Sequence, residues 1–533
     1  MTLLSNADSA SARPVRLLAA TSVVGFMTLL SRVTGLARDI AFSAWFGSGP
    51  VMDAFAVAFK IPNLMRRLFA EGAFSQAFVP VISEYRTHRS HAETRELVSH
   101  VAGTLGVGLF AVSAVGVVAA PLLILAFAPG FATREGPFDL AVAMLRFTFP
   151  YVLFVSLTAL AGSVLNAHRR FAVAAFTPVL LNVVVIVFAG FVGPMLQQPA
   201  LGLAAGVLAA GIVQLAFQLP FLKRIGMLPR PRVSFRHEGV RRILKLMAPA
   251  LFGSSVTQIS ILLDTLIASF LMAGSMSWLY FSDRLVEFPL GLIGIVLATV
   301  ILPRLSEQHS LKSPQTFSAT LDWALKLVLV IGVPAAVGLA FLAEPLLATL
   351  FLRGEFTQRD VEMATASLRA YAPGLMGFIL VKVLAPGYFA RQDTRTPVRA
   401  GLQALALGMA LSVGFVLVLL QTGWAPAHAG IAAATACSAL ANATLLLAGL
   451  KRQGVYRPLP GWPALAWRVA VPSAVMALAL SAALALTGEW DAMSLPVRIG
   501  LLAALVSGGA AIYFAVCYLV GLRLSELRIQ SGA

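Results

Sequence analysis

The chain has 533 residues, 59% of them hydrophobic and 12% charged, with a formal net charge of +17. That length suits roughly two to four soluble domains, but no polar stretch is long enough for a separate one. Cys437 and Cys517 lie far apart inside apolar runs, which excludes a disulfide framework or a thiolate metal site.

Runs of about 18 or more apolar residues recur from end to end, the pattern of an all-α polytopic membrane protein. Arg13 and Arg16 precede the first run, as in a signal peptide. The run continues into Arg32 and Arg38 without a small-residue cleavage site, so a retained helix is expected. At about 20 residues per span, fourteen helices are predicted. They fall at 17–46, 51–81, 97–127, 140–165, 173–193, 201–222, 243–272, 276–302, 317–342, 364–389, 397–420, 430–450, 467–487 and 495–520. The first, second, seventh and eighth are long and polar enough to bend or to project from the bilayer.

Alternate loops differ in basic content. The N-terminus, 82–96, 166–172, 223–245, 303–316, 391–399, 451–468 and the C-terminus together hold 26 of the 40 Lys and Arg residues. The opposite loops are neutral, mixed or acidic. The positive-inside rule therefore puts both termini in the cytoplasm, as an even span count requires. The excess charge is topological, and no nucleic-acid partner is expected. The 223–245 loop also suits anionic lipids of the inner leaflet.

The first twelve spans contain a repeat. VPVISE at 79–84 matches LPRLSE at 302–307, and LRFTFP at 145–150 matches LRAYAP at 368–373, both at a shift of 223 residues. PLL at 121–123 and PLL at 345–347 match with one residue of slippage. Six spans separate the copies, so these are parallel repeats about an axis along the membrane normal, a transporter layout with its site near the repeat interface. The expected domains are 1–222, a lobe of six helices; 223–242, a cytoplasmic linker; 243–450, a second six-helix lobe; and 451–533, two appended helices.

Charges inside these spans cost about 2.5–3.5 kcal/mol each at a helix centre, so they face a bundle interior or a wet cavity. The first helix carries Arg32, Arg38 and Asp39; the second carries Asp53, Lys60, Arg66, Arg67 and Glu71. Arg32 and Arg38 are about 240° apart round a straight helix, and a break at Gly35 would bring them together. The eighth carries Asp283, Arg284 and Glu287, with Arg284 and Glu287 spaced to pair. Arg67, Glu71 and Lys326 suit structural ion pairs or snorkelling. Arg32, Arg38, Arg66 and Arg284 present charged, planar forks suited to phosphate, so an anionic cargo, a phosphate or pyrophosphate, is predicted. Asp264 is either a cation site, with Asp393, or hydrogen-bonded to Thr257, Ser260 or Thr265. Lys382 is expected in a buried ion pair.

No Walker, G-x-S-x-G, H-E-x-x-H or C-x-x-C motif occurs, so the chain is not an ATPase or another recognisable enzyme. Transport without ATP is passive or driven by a coupling cation, Na⁺ or H⁺, or by the membrane potential. No other cofactor is expected.

SRVTGLARD, MDAFAVAFKIPNLMRRLFAEGAFSQAFVPVISEY, YFSDRLVEFPLG and KVLAPGYFARQDTRTPV closely resemble the MurJ (MviN) family, lipid II flippases of the MOP exporter superfamily. The resemblance covers essentially the whole chain. It implies two six-helix lobes around a central cavity in the bacterial cytoplasmic (inner) membrane. The cargo it implies is lipid II, undecaprenyl-pyrophosphoryl disaccharide-pentapeptide, flipped to the periplasmic leaflet by alternating access for peptidoglycan synthesis. Family cavity arginines map onto Arg32, Arg38, Arg66 and Arg284, with Ser31, Asp39, Asp53 and Glu287 as polar companions. Asp264 and Asp393 match part of a sodium site found in some members, although Phe389 and Leu405 offer no side-chain oxygen there. Helices thirteen and fourteen resemble the family's groove for the polyprenyl tail. Membrane lipids and peptidoglycan-synthesis proteins are the further partners this implies. The rival readings are a flippase for another polyprenyl-pyrophosphate oligosaccharide, a cation antiporter, which an arginine-rich cavity disfavours, and a non-transporting scaffold for cell-wall enzymes.

Overall fold

The computed structural model describes residues 7–67, 74–134, 136–291, 295–311, 313–424 and 426–522, and these contain helices and turns but no strand. The helices, in chain order, are α1 Ala7–Phe46, α2 Pro50–Met65, α3 Ser75–His88, α4 His91–Val118, α5 Ala120–Phe127, α6 Pro137–Thr148, α7 Tyr151–Ala167, α8 Phe171–Val187, α9 Leu201–Arg224 and α10 Glu238–Ser269. They continue with α11 Ser275–Pro289, α12 Ile295–Ser310, α13 Pro314–Phe341, α14 Ala343–Phe351, α15 Gln358–Tyr371, α16 Gly374–Phe389, α17 Arg395–Gln421, α18 Ala429–Arg452, α19 Trp462–Leu486 and α20 Leu495–Leu519. Contacts divide the chain into two compact units, Met1–Phe46 with Pro50–Ile259, and Gly47–Gly49 with Ser260–Ala533.

Among the described residues, nine helices are long and apolar enough to cross a membrane, and α15–α16, bent by 43°, forms a tenth if the pair is one span. The other four predicted spans, α1, α2–α3, α10 and α11–α12, are those the sequence marks as charged. Two predicted starts are each six residues late. Ser90 accepts the Glu93 backbone N–H while the Glu93 carboxylate accepts the Ser90 N–H, and this reciprocal cap starts α4 at His91. Thr357 and Asp360 do the same for α15. Each cap satisfies N–H groups that no turn of helix can reach, and its polar first turn is invisible to hydropathy. The short α14 lies in what the sequence reads as a loop.

In the first unit, Phe78, Ile82, Leu97, Val98, Val164, Leu165 and Leu222 join α3, α4, α7 and the end of α9 in one core. The segment after α9 packs against α4 in extended form. Arg232 N–H donates to the Ser99 carbonyl, Arg230 N–H to the Ser99 hydroxyl and Ser234 N–H to the Thr104 hydroxyl. In the second unit, small residues bring α16 onto α18: a Cβ on Gly377 would stand 2.5 Å from the Ala439 carbonyl carbon. Close approach through small residues is how helices associate where lipid removes the hydrophobic drive.

Three contacts fasten α19–α20 to the rest of the second unit. Asp322 of α13, almost wholly buried, accepts hydrogen bonds from Tyr456 Oη (2.8 Å), Trp462 Nε1 (2.8 Å) and Leu459 N (3.1 Å). Its second oxygen meets Lys326 Nζ at 2.8 Å, which provides the structural role expected of Lys326. Tyr513 Oη of α20 donates to the Val330 carbonyl at 2.7 Å. Arg498, at the other end, donates to the carbonyls of Ala348 and Leu352 at the close of α14 and to those of Asp491 and Met493.

Candidate functional site

The candidate charged residues of the first unit lie on α1, on α2 and just past its end, and α8 supplies a partner. α1 runs unbroken through Gly35, so the expected break there is absent: each residue from 7 to 46 keeps helical hydrogen bonding. A neighbour, not a kink, orients the arginine. Arg38 donates through Nε (3.1 Å) and Nη2 (2.8 Å) to Asp39 Oδ1, and through Nη1 to Asn182 Oδ1 of α8 at 3.1 Å. The Asn182 amide donates in turn to the Ser31 carbonyl and the Thr34 hydroxyl, both at 3.1 Å. Arg38 and Asp39 are only 7% and 2% exposed, and the Phe42 ring lies 5.6 Å from the guanidinium carbon.

Arg32 is half-buried on the same helix, and its guanidinium makes no hydrogen bond or ion pair with a described residue. Asp53 is buried in α2 and Lys60 half-buried. Arg66, half-buried, donates through Nε and Nη2 to Asn63 Oδ1 at 3.0 and 2.9 Å. Arg67 is half-buried, and Glu71 lies outside the described residues.

In the second unit, Arg284 Nη1 meets Glu287 Oε2 at 2.8 Å, the pairing that the spacing predicts. The Arg284 guanidinium also faces the Tyr280 ring at 5.1 Å. Both partners stay partly open, with side chains 33% and 44% exposed, so the pair presents its charge rather than burying it. Asp264 is half-buried in α10. The Thr265 hydroxyl donates to the Ile261 carbonyl; the side chains of Thr257 and Ser260 lie outside the described ones. Asp393 starts α17, accepting from Thr396 N (3.0 Å) and Oγ1 (2.6 Å), and these bonds hold its carboxyl below the ordinary range. Lys382 corrects the sequence reading. It is exposed and has no ion pair among the described residues.

Asn182 escaped sequence reasoning, though it is a lone amide in an otherwise apolar helix. That is the signal of a polar group with a partner on another helix. No cluster of three or more metal-ligating side chains occurs among the described residues.

Helical spans that carry buried arginines and carboxylates define a polytopic membrane transporter. The same fold occurs in an inward-facing multidrug resistance MATE transporter of the MOP superfamily, at a TM-score of 0.66 and 15% identity over 81% of this chain and 98% of the other. Residues 42–500 match the family described as Lipid II flippase MurJ. The chain belongs to that family, whose members are transporters and not enzymes. A probable lipid II flippase MurJ of Vibrio cholerae is 46% identical over 520 residues, covering 96% of this chain and 98% of its own. The lipid II flippase MurJ of Burkholderia cenocepacia is 42% identical over 514 residues, covering 95% and 98%. A solved lipid II flippase MurJ in an inward closed conformation has a TM-score of 0.77 at 25% identity, covering 93% and 98%.

Proposed function

We propose that this chain flips lipid II from the cytoplasmic to the periplasmic leaflet of the bacterial inner membrane, supplying peptidoglycan synthesis. Family membership supports the cargo. The observation that carries the chemistry is Arg32, a half-buried guanidinium in a membrane helix with no described counter-charge. An arginine in that state suits a planar, multiply charged oxyanion. Arg38, Arg66 and Arg284 complete the grip, with Ser31, Asp39, Asp53 and Glu287 setting their orientation. The two units act as lobes of an alternating-access transporter that holds the pyrophosphate more tightly when open inward.

Fourteen spans, a parallel repeat and cytoplasmic termini complete the reading. Helix limits support the repeat: α4 and α13 begin 223 residues apart with 28 residues each, and α5–α14 and α7–α16 begin at the same shift. An interior-negative potential favours outward movement of a net anion by about 2.3 kcal/mol per charge per 100 mV. Asp264 and Asp393 are the candidate groups for a coupling Na⁺ or H⁺, and α19–α20 is the candidate groove for the polyprenyl tail.

The test is a leaflet-specific assay of lipid II in cells depleted of the protein and complemented with variants. Arg32→Ala, Arg38→Ala and Arg284→Ala are expected to insert normally and leave lipid II in the inner leaflet. Normal periplasmic lipid II with all three would refute the arginine grip.

A further inference from the structure

A cavity of about 480 Å³ lies in the second unit, walled by α13, α16, α18 and the segment that leads into α19. Its lining is graded along the helix axes. Leu329 of α13, Met376 and Leu380 of α16 and Leu447 of α18 form the deep part, and Lys451 and Trp462 stand at the mouth. The direction follows from contacts. Asp322 of α13 bonds Tyr456 and Trp462, just after α18 ends, so Leu329 sits about 10 Å further in. Tyr388, near the end of α16, donates to the Leu446 carbonyl, so Met376 lies about 18 Å back along α16.

The mouth is rigid and carries net positive charge. Asp322 fixes the 456–462 wall, and Lys326, which lies 5.9 Å from the Trp462 ring, is neutralised by Asp322. The Lys451 side chain is exposed, and its ammonium makes no hydrogen bond or ion pair with a described residue. A cavity in the size range of ligand sites, apolar in its depth and cationic at a membrane boundary with an interfacial tryptophan, matches one kind of molecule. We propose that it holds an acyl chain of an anionic phospholipid from the leaflet at that end, with Lys451 on the headgroup phosphate. Its walls are α13, α16, α18 and the first residues of α19, and no residue of α20 lines it, so it is distinct from a tail groove formed between α19 and α20.

The experiment transfers the full-length protein from nanodiscs containing equal phosphatidylglycerol and phosphatidylethanolamine into native mass spectrometry, where retained lipid is counted. The wild type is expected to retain phosphatidylglycerol in roughly fivefold preference, the effect of one lysine near a charged headgroup. Lys451→Glu should abolish that preference, and Leu380→Trp, which fills the deep part, should cut retention of both lipids. A melting curve guards against misfolding: added phosphatidylglycerol should raise the Tm of the wild type and not that of Lys451→Glu. Equal retention of the two lipids by the wild type, or an unchanged preference in Lys451→Glu, would overturn the proposal. So would displacement of the bound phosphatidylglycerol by a polyprenyl phosphate, which would assign the cavity to the cargo's tail.

Discussion

Arg169 and Gln392, 223 residues apart, are the two non-glycine residues among those described that adopt a left-handed backbone, with φ of 61° and 60°. Each closes a helix in the same way. Arg170 N–H reaches back to the Leu165 carbonyl at 2.9 Å, and Asp393 N–H to the Tyr388 carbonyl at 3.1 Å. These closures satisfy carbonyls that α7 and α16 leave unpaired, a place where glycine is usual because it carries no Cβ. Arg169→Gly and Gln392→Gly should therefore each raise stability by up to about 1 kcal/mol, and the valine substitutions should lower it by about 1–2 kcal/mol. Melting of the purified protein in detergent checks the pair, and opposite signs at the two sites would contradict their equivalence.

The Asn182 side chain connects Arg38 to Ser31 and Thr34. Asn182→Leu removes three hydrogen bonds, while Thr34 keeps the Leu30 and Ser31 carbonyls and Arg38 keeps Asp39, so the expected cost is about 1–3 kcal/mol in total. Transport should fall further than stability, because Arg38 loses the bond that sets its second Nη. The check is lipid II transport in reconstituted vesicles at matched amounts of folded protein.

Much of this was legible in the sequence. The all-helical, apolar character of the chain and the Arg284–Glu287 pair depend on hydropathy and on spacing within one helix, which a linear reading captures. Arg38–Asn182 spans 144 positions and Asp322–Trp462 spans 140, so no local pattern announces them. The exposure of Lys382 failed for the same reason: one basic residue in an apolar helix has several possible facings, and only packing chooses. The capped first turns of α4 and α15 are polar, and a hydropathy window discards them.

The α19–α20 pair should move with the second unit as one body. Arg498 places its guanidinium on four backbone carbonyls, an arrangement that a lysine ammonium cannot reproduce. Arg498→Lys should therefore cost about 2 kcal/mol or more, since buried carbonyls lose donors, and Arg498→Ala should cost more. Hydrogen exchange would show the loss first at the C-terminal turn of α14. Unchanged protection there would mean that the contact does not hold the pair.

The linker after α9 should loosen in acid. His237 stacks on His100 with ring centres 4.7 Å apart, while Glu96 lies 3.7 Å from His100 and Glu238 follows in sequence. Burial first, and then the charge of His100, push the His237 imidazole below its ordinary value of 6.5, although Glu96 and Glu238 oppose this. A histidine lowered on folding contributes stability above its unfolded value, and that contribution is lost as the pH falls below it. Amide protection at Arg230, Arg232 and Ser234, corrected for intrinsic exchange, should drop between about pH 7.5 and about pH 5.5, across the range where histidine titrates. His237→Phe should keep the ring contact and flatten that dependence.

Substitution of Glu287 tests whether its pair with Arg284 serves the fold or the proposed cargo grip. Its bond to Arg284 is short, but both side chains are substantially open to their surroundings. Screened pairs of this kind contribute about 0–1 kcal/mol, so Glu287→Gln should change melting very little. Its effect on binding should be larger. The carboxylate competes with an incoming anion for the same guanidinium, and its loss removes the 2.8 Å ion pair while the Tyr280 ring still faces Arg284. Glu287→Gln should therefore bind inorganic pyrophosphate more tightly than the wild type, while Arg284→Lys binds it less tightly, having lost the planar fork. Tighter binding should also slow release, so Glu287→Gln is expected to show a lower KM for lipid II together with a lower maximal rate. If KM and maximal rate are both unchanged in Glu287→Gln, Arg284 is not in the grip.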